Sequence, residues 1–184
     1  MVIDRDTRKE SALIVIDVQV NVVKDAFERD IRIANIAQAV EKARKKDIPV
    51  IWVRHSADDL PLNSEGWQIV PELKPLPNEP IVEKLYGSSF EATNLDAILA
   101  HLNISHLYIC GAQSNNCVRH TSHAALERGY DITLISDAHT TTGFEWSGYV
   151  VDAARTIDEQ NTNFMGYQLP GRKAQVIKVD EIWI

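Results

Sequence analysis

The sequence predicts an α/β fold in which an open, mainly parallel sheet is covered by helices on both faces. Two observations carry this. Five short runs are continuously apolar where a half-exposed strand would alternate, the mark of strands buried on both faces. Between them lie segments with helical apolar spacing, so successive strands are joined by right-handed crossovers. The 184 residues suit a single domain, 1–184, with a core of its own.

Ala12–Ile16 reads as the first buried strand, and Ile33, Ile36, Ala37 and Val40 then share a helix face. Val50–Val53 is the second strand. The segment from Ser56 to Pro80 follows, irregular and holding five of the seven prolines. Loops of that length in compact domains commonly serve as lids or binding loops, so a pocket wall is expected, with a plain solvent excursion as the alternative. Ile81–Val82 is a strand of minimal length. Thr93 and Asp96 form a capping pair for the stripe Leu95, Ile98, Leu99 and Leu102. Leu107–Cys110 is the next strand, and a third helix is expected from near Asn116 to Gly129, a C′ glycine. Ile132–Ile135 follows, then a fourth helix from Tyr149 to about Gln160, then Ala174–Val179, whose two polar residues suit an edge.

Composition excludes several classes of function. With 45% hydrophobic and 24% charged residues the chain is an ordinary globular protein. A net charge of −7 argues against nucleic acid or an anionic membrane surface as partner. Asp4, Arg5, Asp6, Arg8, Lys9 and Glu10 interrupt any leader-like apolar run, and no stretch has bilayer-spanning length. Cys110 and Cys117 have no spacing typical of a metal site or disulfide framework, which fits free thiols in a reducing cytoplasm.

In open α/β sheets the ligand sits beyond the carboxyl ends of the strands. Asp17 directly follows the first strand, Lys84 follows the short one, and Cys117 lies where a loop turns into a helix. His55 and Asp137 close two other strands. Cys110, inside a strand, reads as a small buried hydrophobe. Cys117 differs, because unpaired N–H groups in the first turn of a helix stabilise a thiolate. The polar stretch Gly111–Cys117 is suited to aiming backbone N–H groups at an oxyanion, and an Asn-capped turn is the plain alternative. Asp17 has an alternative role as a cap, and Lys84 as an exposed loop lysine. His120 and His123 share a helix face without a third ligand, so a solvated face is expected rather than a metal site. His139 and His55 line a pocket or lie at the surface. Trp52, Tyr86, Phe144 and Trp146 offer an aromatic substrate pocket, with core or interface packing as the alternative for each.

These residues, in this order, resemble the isochorismatase-like cysteine hydrolases, a superfamily that includes nicotinamidases, N-carbamoylsarcosine amidases, ureidoacrylate and maleamate amidohydrolases, and isochorismatases. The likeness runs through Ala12–Gln19 with Asp17; Lys84 with Gly87–Phe90, Thr93 and Leu95; Gly111–Val118 with Thr121; and Gly129–Tyr130 leading to Asp137–Ala138. It covers about residues 11–140. It implies a Rossmann-like three-layer α/β/α sandwich with a six-stranded, mainly parallel sheet. It also implies a catalytic triad of Asp17, Lys84 and Cys117, and a cis peptide at Ala112–Gln113 that turns the Gln113 N–H towards an oxyanion beside that of Cys117. The metal motif of nicotinamidases is missing: the place after the second strand reads Trp52, Val53, Arg54, His55, Ser56, Ala57, Asp58, Asp59. Neither metal nor other cofactor is therefore expected. The tail after about Trp146 fits the pattern poorly.

The expected activity is hydrolysis of an amide, ureide or lactam C–N bond in a small molecule, with Cys117 held as thiolate by Lys84 and the helix start and carried through a thioester. Two alternatives stay open: vinyl ether hydrolysis of the isochorismatase type by proton transfer from Asp17, and a non-catalytic ligand-binding domain. The turn Tyr167–Arg172 and the apolar end Ile182–Ile184 suggest packing in a homo-oligomer, a dimer or tetramer.

Overall fold

A computed structural model describes residues 8–183; the residues before and after lie outside it. The elements run β1 (Glu10–Ile16), α1 (Arg29–Lys45), β2 (Val50–His55), β3 (Ile81–Lys84), α2 (Leu95–His101), β4 (Ile104–Ala112), a π-helical turn (Ser114–Val118), α3 (Arg119–Arg128), β5 (Asp131–Thr140), β6 (Phe144–Trp146), β7 (Tyr149–Val151), α4 (Ala153–Phe164), β8 (Gln168–Leu169), β9 (Arg172–Ile177) and a 3₁₀ turn (Val179–Glu181). The main sheet has seven strands in the order β3-β2-β1-β4-β5-β9-β8. The first six are parallel neighbours, and β8 is a two-residue antiparallel addition that covers the edge of β9. The fold is the expected α/β/α sandwich, with one strand more than expected.

Strand alternation divides the core in two. Ile14 and Ile16 face a cluster containing Leu95 and Leu99 of α2 and Leu126 of α3. Leu13 and Val15 face the other, which holds Ile33, Ile36 and Val40 of α1. Continuous apolar runs are what a sheet buried on both faces requires. The segment between β2 and β3 folds back onto this scaffold, burying Trp67, Val70 and Leu73.

The helix expected from Tyr149 begins later. Ser147 and Gly148 adopt positive φ (50° and 81°) at the tip of a hairpin pairing Phe144 with Val151. Such a turn matches the twist of antiparallel strands, and the β-branched pair Val150–Val151 suits strand. Asp152 then caps α4, its carboxylate accepting from Arg155 N at 2.9 Å. At the C-terminal end, Ile182 is fully buried, Trp183 packs on Tyr108, and Lys42 Nζ donates to the carbonyls of Val179, Asp180 and Ile182. These apolar residues are covered within the chain and do not by themselves require a second copy; Ile184 lies outside the described residues.

Candidate active site

Four adjacent strands each deliver one polar side chain to the same edge. Asp17 follows β1 with φ 50°, His55 ends β2, Lys84 ends β3, and Cys117 stands in the π-helical turn after β4. β4 reaches this edge by passing very close to β1. Gly111 is paired with Ile16, and a Cβ on it would lie 2.0 Å from the Ile16 carbonyl oxygen. Its φ of 120° excludes other residues for the same reason. The peptide between Ala112 and Gln113 is cis.

Lys84 is the hub. Its Nζ lies 2.7 Å from Asp17 Oδ2, donates to Cys117 Sγ at 3.2 Å and to the Tyr86 carbonyl at 3.1 Å, and sits 3.4 Å from His55 Nδ1. Ion-pair partners as deeply buried as Asp17 and Lys84 (1% and 2% exposed) are costly to bring out of water and hold only with close geometry. Asp17 Oδ1 is buried with no nitrogen or oxygen donor on it, and the carboxylate is within reach of the Cys117 thiol. Burial raises the Asp17 pKa, opposed by Lys84. The Cys117 thiol is pushed up to about 12, first by burial and then by the Asp17 charge, with Lys84 opposing. Desolvation and the adjacent carboxylate thus work against the standing thiolate expected from the sequence, and Lys84 works for it.

The surrounding motif residues act as fasteners. Ser89 N donates to Thr121 Oγ1 at 3.0 Å, their hydroxyls are 2.9 Å apart, and Thr93 Oγ1 donates to Ser89 O at 2.6 Å. These bonds tie the Lys84 strand to the helix behind Cys117. Gln19, fully buried, clamps the other side: Oε1 accepts from His55 N (2.8 Å) while Nε2 donates to His55 O (2.9 Å) and Trp67 O (2.7 Å). Neither role is visible in a linear sequence, although Gln19, Ser89 and Thr121 all lie in the motifs that carry the family likeness.

The site opens into a cavity of about 420 Å³ lined by Asp17, Asn21, Val22, His55, Asp59, Leu60, Gly87, Gln113, Asn116 and Cys117. Asp59 and Leu60 come from the proline-rich segment, which thus forms one wall. The proposed aromatic residues lie elsewhere. Trp52 points into the α1 side of the core three residues before β2 ends, with Nε1 donating to Glu79 Oε2 at 2.7 Å. Tyr86 is half exposed and borders a neighbouring groove with Leu62, Leu85 and Ala92. Phe144 is exposed on the β6–β7 hairpin. Aromatic content pointed to them, but register and strand end decide what faces the cavity, and the lining is mostly polar. Asn21, Asp59 and Asn116 were not singled out from sequence, since nothing local distinguishes a lining Asn or Asp from a turn residue. Among the described residues no group of three or more His, Cys, Asp or Glu is arranged to hold a metal.

A family model described as the isochorismatase domain matches residues 11–162. The isochorismatase family protein YrdC of Bacillus subtilis is 32% identical over 142 residues, 73% of this chain and 76% of that protein. Streptothricin hydrolase of Streptomyces noursei is 31% identical over 137 residues, covering 71% of this chain and 49% of that longer protein. The crystal structure of an isochorismatase from Pseudomonas putida superposes with a TM-score of 0.82 at 27% identity, over 98% of this chain and 92% of that one. With the match running from β1 into α4, the chain belongs to the isochorismatase-like hydrolase family.

Proposed function

We propose that the protein is an amidohydrolase that cleaves a C–N bond of a small molecule through a thioester on Cys117. The observation that carries this is the Lys84 ammonium set between Asp17 Oδ2 (2.7 Å) and Cys117 Sγ (3.2 Å) on the wall of the cavity. The similarity to an N-carbamoylsarcosine amidase of Arthrobacter, 29% identical over 119 residues, supports an amide-type substrate. Asp17 takes the thiol proton as sulfur attacks the carbonyl carbon; its raised pKa brings it closer to the thiol and makes it the better base. The N–H groups of Gln113 and Cys117 receive the oxyanion. Collapse returns the proton from Asp17 to the leaving nitrogen, giving a free amine and a thioester. Asp17 then draws a proton from water, which attacks the thioester and releases the acid and the thiol. Lys84, placed between the two, balances whichever of sulfur or carboxylate is anionic.

The test is release of ammonia or amine across primary amides, ureides and lactams. Turnover by the wild type, its loss in Cys117→Ala, and an acyl adduct in intact-mass spectra support the reading. Full turnover in Cys117→Ala would overturn it. Hydrolysis of isochorismate that survives Cys117→Ala and is lost in Asp17→Asn would instead assign vinyl ether chemistry.

A further inference from the structure

We infer that this site selects substrates whose group beyond the scissile carbonyl is cationic or neutral and discriminates against carboxylates. The inference rests on the amidase reading for what is cleaved, but its basis is the charge of the cavity wall. Asp17 and Lys84 neutralise each other as an ion pair. The Lys84 ammonium already faces four acceptors, on Asp17, Cys117, Tyr86 and His55, with three hydrogens to give, so none is left for a substrate carboxylate. Burial and the Asp17 carboxylate favour the uncharged form of Cys117. His55 is held below its ordinary pKa, first by burial and then by Lys84, so it is neutral at neutral pH. Its Nδ1 faces a group that only donates, which places the proton on Nε2.

What remains is Asp59. It stands with Asp58 at the tip of a tight turn closed by two backbone bonds, Ala57 N to Leu60 O (3.2 Å) and Leu60 N to Ala57 O (3.0 Å). Buried Leu60 anchors that turn, and both Asp59 and Leu60 line the cavity. Among the described residues Asp59 forms no ion pair, and no arginine lines the cavity. Arg54, one residue before His55, is stacked on Trp67 at 3.7 Å and paired with Glu83. The wall therefore carries one uncompensated negative charge, in a protein whose net charge is −7. Asp59 is exposed to solvent, so a substrate carboxylate would meet a salt-screened repulsion there, whereas an ammonium group would be drawn to it.

Three amides of equal length isolate the effect: butyramide, succinamic acid and β-alaninamide, whose distal groups are methyl, carboxylate and ammonium. The expected order of kcat/KM is β-alaninamide at or above butyramide, with succinamic acid at least about tenfold below. Asp59→Asn should shrink the ratio of β-alaninamide to butyramide by about fivefold, less at high salt. A second arm needs no turnover. The rates at which cationic trimethylammonioethyl and anionic sulfonatoethyl methanethiosulfonates modify Cys117 are compared with their rates on a free small thiol. A cationic preference about fivefold above the free-thiol ratio, collapsing in Asp59→Asn, is expected. Succinamic acid as the best amide, or a thiosulfonate ratio no higher than for the free thiol, overturns the charge selection. If all three amides stay intact while the cationic preference holds, the amidase reading fails for these substrates and the charge selection stands.

Discussion

Ser114 Oγ and His139 Nδ1 lie 2.7 Å apart, both fully buried, at the first residue of the turn that carries Cys117. His139 Nε2 is 2.9 Å from Asn161 Oδ1, and Asn161 Nδ2 donates to Ser136 O at 3.2 Å. The second bond orients the amide, so Nε2 must carry the proton and Nδ1 must accept from the serine hydroxyl. This chain joins β5 and α4 to the nucleophile turn through a neutral imidazole whose pKa is pushed down to about 4, mainly by burial.

His139→Ala should lower stability by about 2–4 kcal/mol, since it opens a void and strands the Ser114 and Asn161 oxygens, and should reduce kcat more than it raises KM. Urea unfolding and steady-state kinetics check both.

The same histidine gives an acid limb to stability. Its folded pKa lies below its ordinary value of 6.5, so the unfolded chain binds the proton more readily. The contribution is fully present above about pH 6.5 and is lost as pH falls towards 4, by the order of 3 kcal/mol. Unfolding midpoints measured from pH 7 to 4 should fall more steeply in the wild type than in His139→Ala.

The buried ion pair predicts a non-additive result. Lys84→Met leaves the buried Asp17 carboxylate without its partner, to remain charged or to take up a proton, at a cost of about 3–5 kcal/mol either way. Asp17→Asn combined with Lys84→Met should recover much of that loss while remaining inactive. A double-mutant cycle from denaturant unfolding measures the coupling.

Removing the base should expose the nucleophile. The Asp17 charge raises the Cys117 pKa, so Asp17→Asn should bring it down. Iodoacetamide should then alkylate Cys117 faster near neutral pH in the variant than in the wild type, while turnover is lost. Rates followed by mass spectrometry against pH give the titration directly.

Two glycines should respond differently to alanine. At Gly111 the new methyl would meet the Ile16 backbone at 2.0 Å with φ 120°, and backbone does not yield, so a loss of more than about 3 kcal/mol is expected. At Gly87 it would meet His120 Nδ1 at 2.4 Å, the far end of an exposed side chain. Gly87→Ala should cost less than about 1 kcal/mol, and less again when His120 is also alanine. Thermal unfolding of both variants compares them.

The layers and the succession of strands along the chain were legible because burial on both faces imposes a run of apolar residues that needs no context to read. Cys117 was legible from its place where a loop turns into a helix. Asp17 and Lys84 stood out mainly through the likeness to the isochorismatase-like hydrolases, the strand ends only bringing them to one edge. The hairpin at Phe144–Val151 was not: its apolar residues are exposed, so no burial pattern separates strand from helix, and the Ser147–Gly148 turn is the one local cue. Trp52 was misplaced because one residue of register decides which layer a strand side chain enters. The pressure on Cys117 towards the thiol was not legible, because a helix start is visible in sequence, whereas the burial that raises a thiol's pKa is not.

Lys84 belongs to the shortest parallel strand, four residues at the outer edge of the sheet, held on one side by β2 alone. Edge strands of this kind open most readily, so amide hydrogens of β3 should exchange with solvent sooner than those of β1 or β4. Each opening takes the ammonium away from Asp17 and Cys117 together. The lifetime of the competent site is then set by the fraying of one edge, and the Ser89–Thr121 fastening and the bond from Ser56 N to Lys84 O are the contacts that lengthen it.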